Sequence, residues 1–410
     1  MVKQITHILN DPLTIFDAER RDLLEKFQPG SRGWIHEAVR DWVESEAASS
    51  ADGGAQSGST SRKPNSPFWL QAEAGMGKSA FVAFQAQHFE ERDQLLAVFL
   101  CKFGNKARTD VASIVNSLAV QIAERLPLSR DHMLKAAQDT SKMNGLGIHD
   151  LIDKLLIDPL NQCKVPEKDQ VILIDAVDEI GTMGSKERNE FLKFLVKSLG
   201  RFPSWVKVFL TSRPEEDIKK QLNAFDPFVI DAEDPRHEKD LRQYIEAFAP
   251  SLLAETASSE DCCDVVDLMM QKSEGRFVYV ATVMEQLLKK ERGWSLESLR
   301  GELPDGLDDS YKQNFERIKE NIRVKLAEEK IITLDVYKRF LSLLVTMQEP
   351  LSEKEAQRIL QIKQKASLDK LSELVTHMFP LRGEAGQKCY FWFHKSVVDF
   401  LTDPSRSDEL

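Results

Sequence analysis

Three short strings in this chain of 410 residues have the residue types and spacing for phosphate chemistry. The first, Ala72-Glu73-Ala74-Gly75-Met76-Gly77-Lys78-Ser79, fits the pattern GxxxxGKS/T at every defined position except the first, where alanine replaces glycine. Gly75 and Gly77 let the backbone amides curl around a phosphate, and a helix opening near Lys78 adds the positive end of its dipole. Lys78 would then pair with β- and γ-phosphates, while Ser79 offers its hydroxyl to Mg²⁺. The nucleotide-contacting stretch expected from this motif runs through Ala72, Glu73, Ala74, Gly75, Met76, Gly77, Lys78, Ser79 and Ala80.

The second string is Val171-Ile172-Leu173-Ile174-Asp175-Ala176-Val177-Asp178-Glu179. Its four apolar residues make a buried central strand, so Asp175 emerges at the C-terminal end, where parallel sheets place their ligands. Asp175 is the expected Mg²⁺ partner, through water, because Mg²⁺ keeps much of its hydration shell. Asp178, with Glu179 close behind, is expected to orient and deprotonate an attacking water. A surface turn rich in acids is the alternative, and three carboxylates crowded behind an apolar strand fit it poorly. The third string, Phe209-Leu210-Thr211-Ser212-Arg213-Pro214, delivers Arg213 to the same sheet edge. There a guanidinium can sense or stabilise a γ-phosphate, or simply cap a strand.

These residues need a framework of alternating strands and helices. The sequence predicts strands at 68–72, 95–102, 170–175 and 206–211, with helices over 78–89, 110–125 and 186–199 between them. Such alternation implies right-handed βαβ units and a parallel sheet covered on both faces. Helical spacing at 17–27 and 34–43 places two more helices ahead of the sheet, separated from it by a Ser/Gly-rich linker. After 232 the strands give way to helices, broken at Leu303-Pro304-Asp305-Gly306. The end of the chain mixes short helices with a hairpin around Arg382 to Gly386, an order that suits a winged helix. The expected fold is therefore α/β: a P-loop parallel sheet with helices on both faces, then a helical subdomain and a winged-helix module. Its segments are 1–46, N-terminal helices; 47–67, linker; 68–232, nucleotide domain; 233–330, helical subdomain; and 331–410, winged helix.

Composition narrows the function classes. Charged residues make up 30% and hydrophobic ones 42%, an ordinary globular balance. A net charge of −11 argues against phosphate-backbone binding as the main task, so no nucleic-acid partner is expected. Residues 367–377, where a winged helix would carry its recognition helix, hold Lys370 and His377 against Asp369 and Glu373. Five cysteines form no CxxC pair and are expected to be reduced thiols. There is no stretch of 18 consecutive apolar residues and no signal-like run after Met1, so no membrane segment and a cytoplasmic location are expected.

Taken together, the strings resemble the NACHT family of STAND nucleotidases, the switch domains of NOD-like receptors and of many fungal and protist signalling proteins. The resemblance rests on Gly75 to Ser79, on Ile174 to Glu179 with its small residue and second acid pair, and on Thr211 to Pro214. Ser273 to Tyr279 and Leu303 to Tyr311 are similar to segments of its helical region, and Phe391 to Leu401 to its winged-helix motif. In that motif a histidine contacts the bound diphosphate, a role the resemblance gives to His394, which could otherwise cap the last helix. The resemblance implies a switch that binds and slowly hydrolyses ATP, or GTP, with Mg²⁺. It would cycle between a closed diphosphate and an open triphosphate state that controls self-association, with an unidentified protein signalling partner. Death-fold effectors and sensor repeats are not seen, which suggests a switch core alone or a fragment. The rival readings are a scaffold that holds nucleotide without hydrolysing it, a metabolic P-loop phosphotransferase, and a DNA-binding regulator using the winged helix, which the few basic residues of 367–377 disfavour.

Overall fold

The computed structural model describes residues 1–9, 15–45, 66–143, 147–181, 183–253, 258–288, 293–323, 332–347, 349–362, 364–376, 378–382, 388–392 and 394–407. Most of the expected linker and the tip of the expected hairpin lie outside them. By internal contacts the chain divides into two units: residues 1–103 with 107–240, and residues 104–106 with 241–410.

The first unit opens with helices α1 (Val2–Leu9), α2 (Ile15–Glu25) and α3 (Gly33–Glu44). The sheet follows as β1 (Phe68–Ala72), β2 (Leu95–Leu100), β3 (Gln170–Asp175), β4 (Val206–Ser212) and β5 (Phe228–Ile230). Between these strands run α4 (Lys78–Glu91), α5 (Val111–Arg125), α6 (Arg130–Ser141), α7 (Ile148–Ile152), α8 (Asp158–Gln162), α9 (Lys186–Leu199) and α10 (Glu216–Gln221). The strands pair in parallel, in the order β2-β3-β4-β1-β5. Strands β1 to β4 are buried at every position, the mark of a parallel sheet covered on both faces. The β1–β4 register sets Phe68 opposite Phe209, with rings stacked at 5.3 Å. Beside this pair, the Trp69 indole donates to Ser212 Oγ at 2.9 Å.

The N-terminal helices share this core: Ile5, Leu9, Phe16, Ile35, Val39, Trp42 and Val43 are buried in the same cluster as the strands. Helices α6 to α8, helix α10 and strand β5 have no counterpart in the sequence reading, and α1 falls within its N-terminal helices without a separate range. Strand β5 spans only three residues, and α7 and α8 only five each, too short for a periodicity to register.

Helix α11 (Pro235–Leu252) crosses from the first unit into the second. The second unit continues with α12 (Ser259–Ser273), α13 (Phe277–Leu288), α14 (Leu296–Glu302) and α15 (Gly306–Asn321). The break before α15 is held from within: the buried Tyr279 hydroxyl donates to Pro304 O at 2.7 Å, and Lys272 Nζ to Leu303 O at 3.0 Å. Then come α16 (Leu334–Thr346), β6 (Leu351–Ser352), α17 (Glu353–Ile359), α18 (Lys365–Val375), β7 (Leu381–Arg382), β8 (Cys389–Tyr390), α19 (Lys395–Thr402) and α20 (Pro404–Ser407). The three short strands pair antiparallel in the order β6-β8-β7, so β7 and β8 form the two arms of the expected hairpin. Ser352 and Glu355 make a capping box that starts α17, and Trp392 Nε1 donates to Leu344 O on α16 at 2.8 Å. No disulfide joins the five cysteines. Among the described residues no helix is long and apolar enough to cross a membrane.

Candidate nucleotide site

Parallel strands present their C-terminal ends on one edge, and the strand order sets β4 between β1 and β3. The loop after β1, the acidic turn after β3 and the arginine loop after β4 therefore face the same region. In the loop after β1, Gly75 (φ 80°) and Gly77 (φ 83°) take the left-handed conformation that glycine adopts without strain. Gly77 is the residue before α4, so the amides of the first turn open onto the loop. Lys78 Nζ donates to Ala72 O at 2.6 Å and to Glu73 O at 2.9 Å, across the span of the loop. Burial pushes the Lys78 ammonium down to about 8, against the raising effect of Asp178 and Asp175, while Arg213 adds to the lowering.

The acidic turn is wired to both neighbours. Asp175, 3% exposed, accepts from the Thr211 hydroxyl at 2.5 Å, and its carboxylate is also hydrogen-bonded by Ser79. Burial raises the Asp175 pKa, and the bonds from Ser79 and Thr211 and the charge of Lys78 act the other way. Thr211 in turn accepts the Ala176 amide at 2.7 Å, which secures Ala176 in a left-handed turn (φ 55°). That turn aims Asp178 and Glu179. Ser79 and Asp175 are hard oxygen donors brought together at the end of the loop, a donor set that fits Mg²⁺ held by few protein ligands.

Asp178 was expected to activate water. The structure places its buried carboxylate on Arg213: Oδ1 accepts the Arg213 amide at 3.1 Å and Oδ2 lies 3.2 Å from Nε. The pair sits 2% and 15% exposed, where an ionic contact is little screened. Glu179 Oε2 instead accepts the Phe103 amide at 2.8 Å, which orients its carboxylate from the neighbouring strand end. Ala74 and Ala80 contribute no polar side chain, and Met76 is buried beneath the loop. His394 belongs to the second unit, where its Nδ1 accepts the Ser396 amide at 3.2 Å and caps α19. The same nitrogen lies 2.6 Å from Ser396 Oγ, so the proton of the neutral ring sits on Nε2.

Three polar side chains of this region were not read as functional from the sequence. Thr211 appeared only as part of a string, and nothing marked its hydroxyl as the bridge between two strands. Arg32, 3% exposed and left-handed (φ 62°), reaches the underside of the loop. It donates to Met76 O at 2.6 Å and to His237 Nδ1 at 2.9 Å, and Asp240 stands 3.9 Å away. Because a guanidinium has no acceptor, His237 Nδ1 must accept. Burial pushes Arg32 down to about 10 and Asp240 opposes that shift. The third is Arg188, at the start of α9. Arg32 lies in Pro29-Gly30-Ser31-Arg32-Gly33, a turn-forming string that announces a loop and not a charge.

The family model for the N-terminal region of nephrocystin 3 matches residues 54–213. The chain is also similar to solved structures at low identity. One is a Walker-type ATPase of Pyrococcus abyssi, at 13% identity and a TM-score of 0.38, covering 81% of this chain and 89% of that one. Another is the ORC2 protein of Aeropyrum pernix in ADPNP–ADP complexes, at 12% and 0.36, covering 82% and 87%. A third is Drosophila ORC bound to DNA, at 13% and 0.38, covering 94% and 91%. The phosphate loop, the acidic strand end and the arginine loop all lie inside the matched segment, on the α/β parallel sheet of a P-loop fold.

Proposed function

We propose that the chain is a nucleotide-dependent signalling switch that binds and slowly hydrolyses ATP, or GTP, cycling between a closed diphosphate and an open triphosphate state that controls self-association. The observation that carries this reading is the junction of the Ser79–Asp175–Thr211 chain with the Asp178–Arg213 pair, because it ties a cation site to a γ-phosphate sensor. Ala72 to Ala80 would hold the phosphates, with Lys78 leaving the Ala72 and Glu73 carbonyls for phosphate oxygens. Ser79 and Asp175 would hold Mg²⁺, which neutralises charge on the β- and γ-phosphates when bound.

Arg213 would read the γ-phosphate and Asp178 would hold it in place, so water activation passes to Glu179. In the closed form His394 would contact the diphosphate through its Nε2 proton. On this reading 1–46 are N-terminal helices joined by a linker at 47–67 to the NTPase at 68–232, then come a helical subdomain at 233–330 and a winged helix at 331–410. The helix–strand–helix–helix–strand–strand order from α16 to β8 supports the last of these. Partners would be the nucleotide, further copies of the chain in a nucleotide-dependent manner, and a signalling protein of unidentified kind. Nucleic acid and membrane are not among the proposed partners, and the cytoplasm is the proposed location.

Such a device works by differential affinity, since a ligand shifts two states only as far as it prefers one. The commitment of Asp178 to Arg213 favours one second reading, a scaffold that retains nucleotide without hydrolysis. A single-turnover assay with Mg²⁺ separates the two. Lys78→Ala is expected to abolish triphosphate binding measured by equilibrium dialysis, and unchanged binding would falsify the assignment. The nucleotide that copurifies with the wild-type chain would identify the base.

A further inference from the structure

Arg188, on α9, is a buried cation whose guanidinium is bonded on every side. Its side chain is 1% exposed, and an arginine carries five N–H donors. Nε donates to Ile180 O at 3.0 Å, and Nη2 donates to Asp178 O and, at 3.0 Å, to Gly181 O. Nη1 donates to the Glu215 carboxylate and lies 3.4 Å from Asp217 Oδ2. Thus one half of the guanidinium grips the backbone of the acidic turn. The other half grips two carboxylates that follow Arg213, Glu215 at the cap of α10 and Asp217 in its first turn.

A lone buried guanidinium is costly unless all its donors are matched, and well-packed apolar residues often serve stability as well or better. The arrangement therefore calls for a reason other than stability. The two loops it spans are also joined at a second point, by Asp178 and Arg213. Two separate ties prevent one loop from pivoting against the other. The tightness of the turn adds to this: a Cβ at Gly181 (φ +66°) would fall 2.4 Å from Ser185 Oγ, the cap of the helix that carries Arg188.

We infer that Arg188 is a positioning residue that makes the acidic turn and the Arg213 loop one rigid body, so that engagement of Arg213 by a γ-phosphate is carried to Asp178 and Glu179. This rests on the proposed reading of Arg213. Arg188 need not touch nucleotide. Lysine at this position keeps the charge and loses the fork, so it can hold one loop at a time.

The test compares wild type with Arg188→Lys and Glu215→Gln. Binding of ADP and of a non-hydrolysable ATP analogue, kcat and KM with Mg²⁺-ATP, and thermal midpoint are all measured. In Arg188→Lys the ADP affinity is expected to stay within about twofold, while the preference for the triphosphate and kcat each fall about tenfold or more. Glu215→Gln, at the partly exposed end of the clamp, should fold normally and shift the same quantities less. Adding it to Arg188→Lys should do little more, because the two residues share one contact. Should Arg188→Lys not fold, Glu215→Gln decides alone. Retained triphosphate preference and kcat in the folded variants overturn the inference. So does a parallel loss of ADP and ATP affinity in step with the thermal midpoint, which is what a merely structural residue would produce. A wild-type chain that binds neither nucleotide sinks the functional reading itself, whereas wild-type binding with unaffected variants sinks only the role of Arg188.

Discussion

At the scale of single residues, the site is organised by side chains that serve two masters. Thr211 donates its hydroxyl proton to Asp175 and accepts the Ala176 amide with the same oxygen, so it fixes both the carboxylate and the turn that follows it. Valine has nearly the same shape and can do neither. Thr211→Val leaves a buried amide without an acceptor, and urea unfolding is expected to show a loss of about 1–3 kcal/mol. The Mg²⁺ concentration needed for half-maximal triphosphate binding should rise, while Mg²⁺-independent binding changes little. A variant as stable as wild type would remove Thr211 from this account. Asp178 shows the same economy, since its two carboxylate oxygens meet the Arg213 amide and the Arg213 Nε.

At the scale of elements, the phosphate loop is supported from below as well as framed by β1 and α4. The turn before α3 sends Arg32 to the Met76 carbonyl, and His237 and Asp240 of α11 share the same guanidinium. Trp34 Nε1 adds a bond to Asp240 at 3.0 Å, so Asp240 is held by two residues of the N-terminal segment. Arg32→Met would leave Asp240 a buried carboxylate short of its cation. The expected cost is about 3 kcal/mol or more, read by chemical denaturation, together with weaker ADP binding because Met76 O loses its donor. If stability falls but ADP affinity does not, the contact supports the fold and not the loop. A left-handed arginine costs about 1–2 kcal/mol by itself, and it persists because this network leaves it no alternative.

At the scale of the whole molecule, the N-terminal helices are part of the nucleotide unit and not an appendage, as a charged cluster beneath them shows. Glu19 on α2 meets Arg108 at 2.5 Å and Lys102 at 3.2 Å, both beyond the end of β2. Burial alone would raise the Glu19 pKa, but the two cations outweigh it and hold the carboxyl below its ordinary 4.5. A depressed carboxylate adds stability above its unfolded value, and that stability is lost as the pH falls through the folded value. Wild type should therefore exceed Glu19→Gln by a constant margin in urea midpoint above about pH 5.5, and the margin should shrink below about pH 4.5. A margin that does not depend on pH would show that Glu19 acts through packing alone.

The sequence alone determined which residue types stand at the ends of the strands. Gly75, Gly77, Lys78 and Ser79 are legible because a phosphate loop needs those residue types at adjacent positions, and Asp175 because four apolar residues carry it to a strand end. Helices with long periodic faces, such as α5 and α9, were legible for the same local reason. What only the tertiary structure decided are pairings between residues far apart in the chain. Arg32 with Met76, Asp178 with Arg213, and Arg188 with Glu215 are separated by 44, 35 and 27 positions. No local pattern encodes such partners. The strand order that inserts β4 between β1 and β3 brings Thr211 and Arg213 to the acidic turn, and burial then turns ordinary polar residues into obligatory contacts.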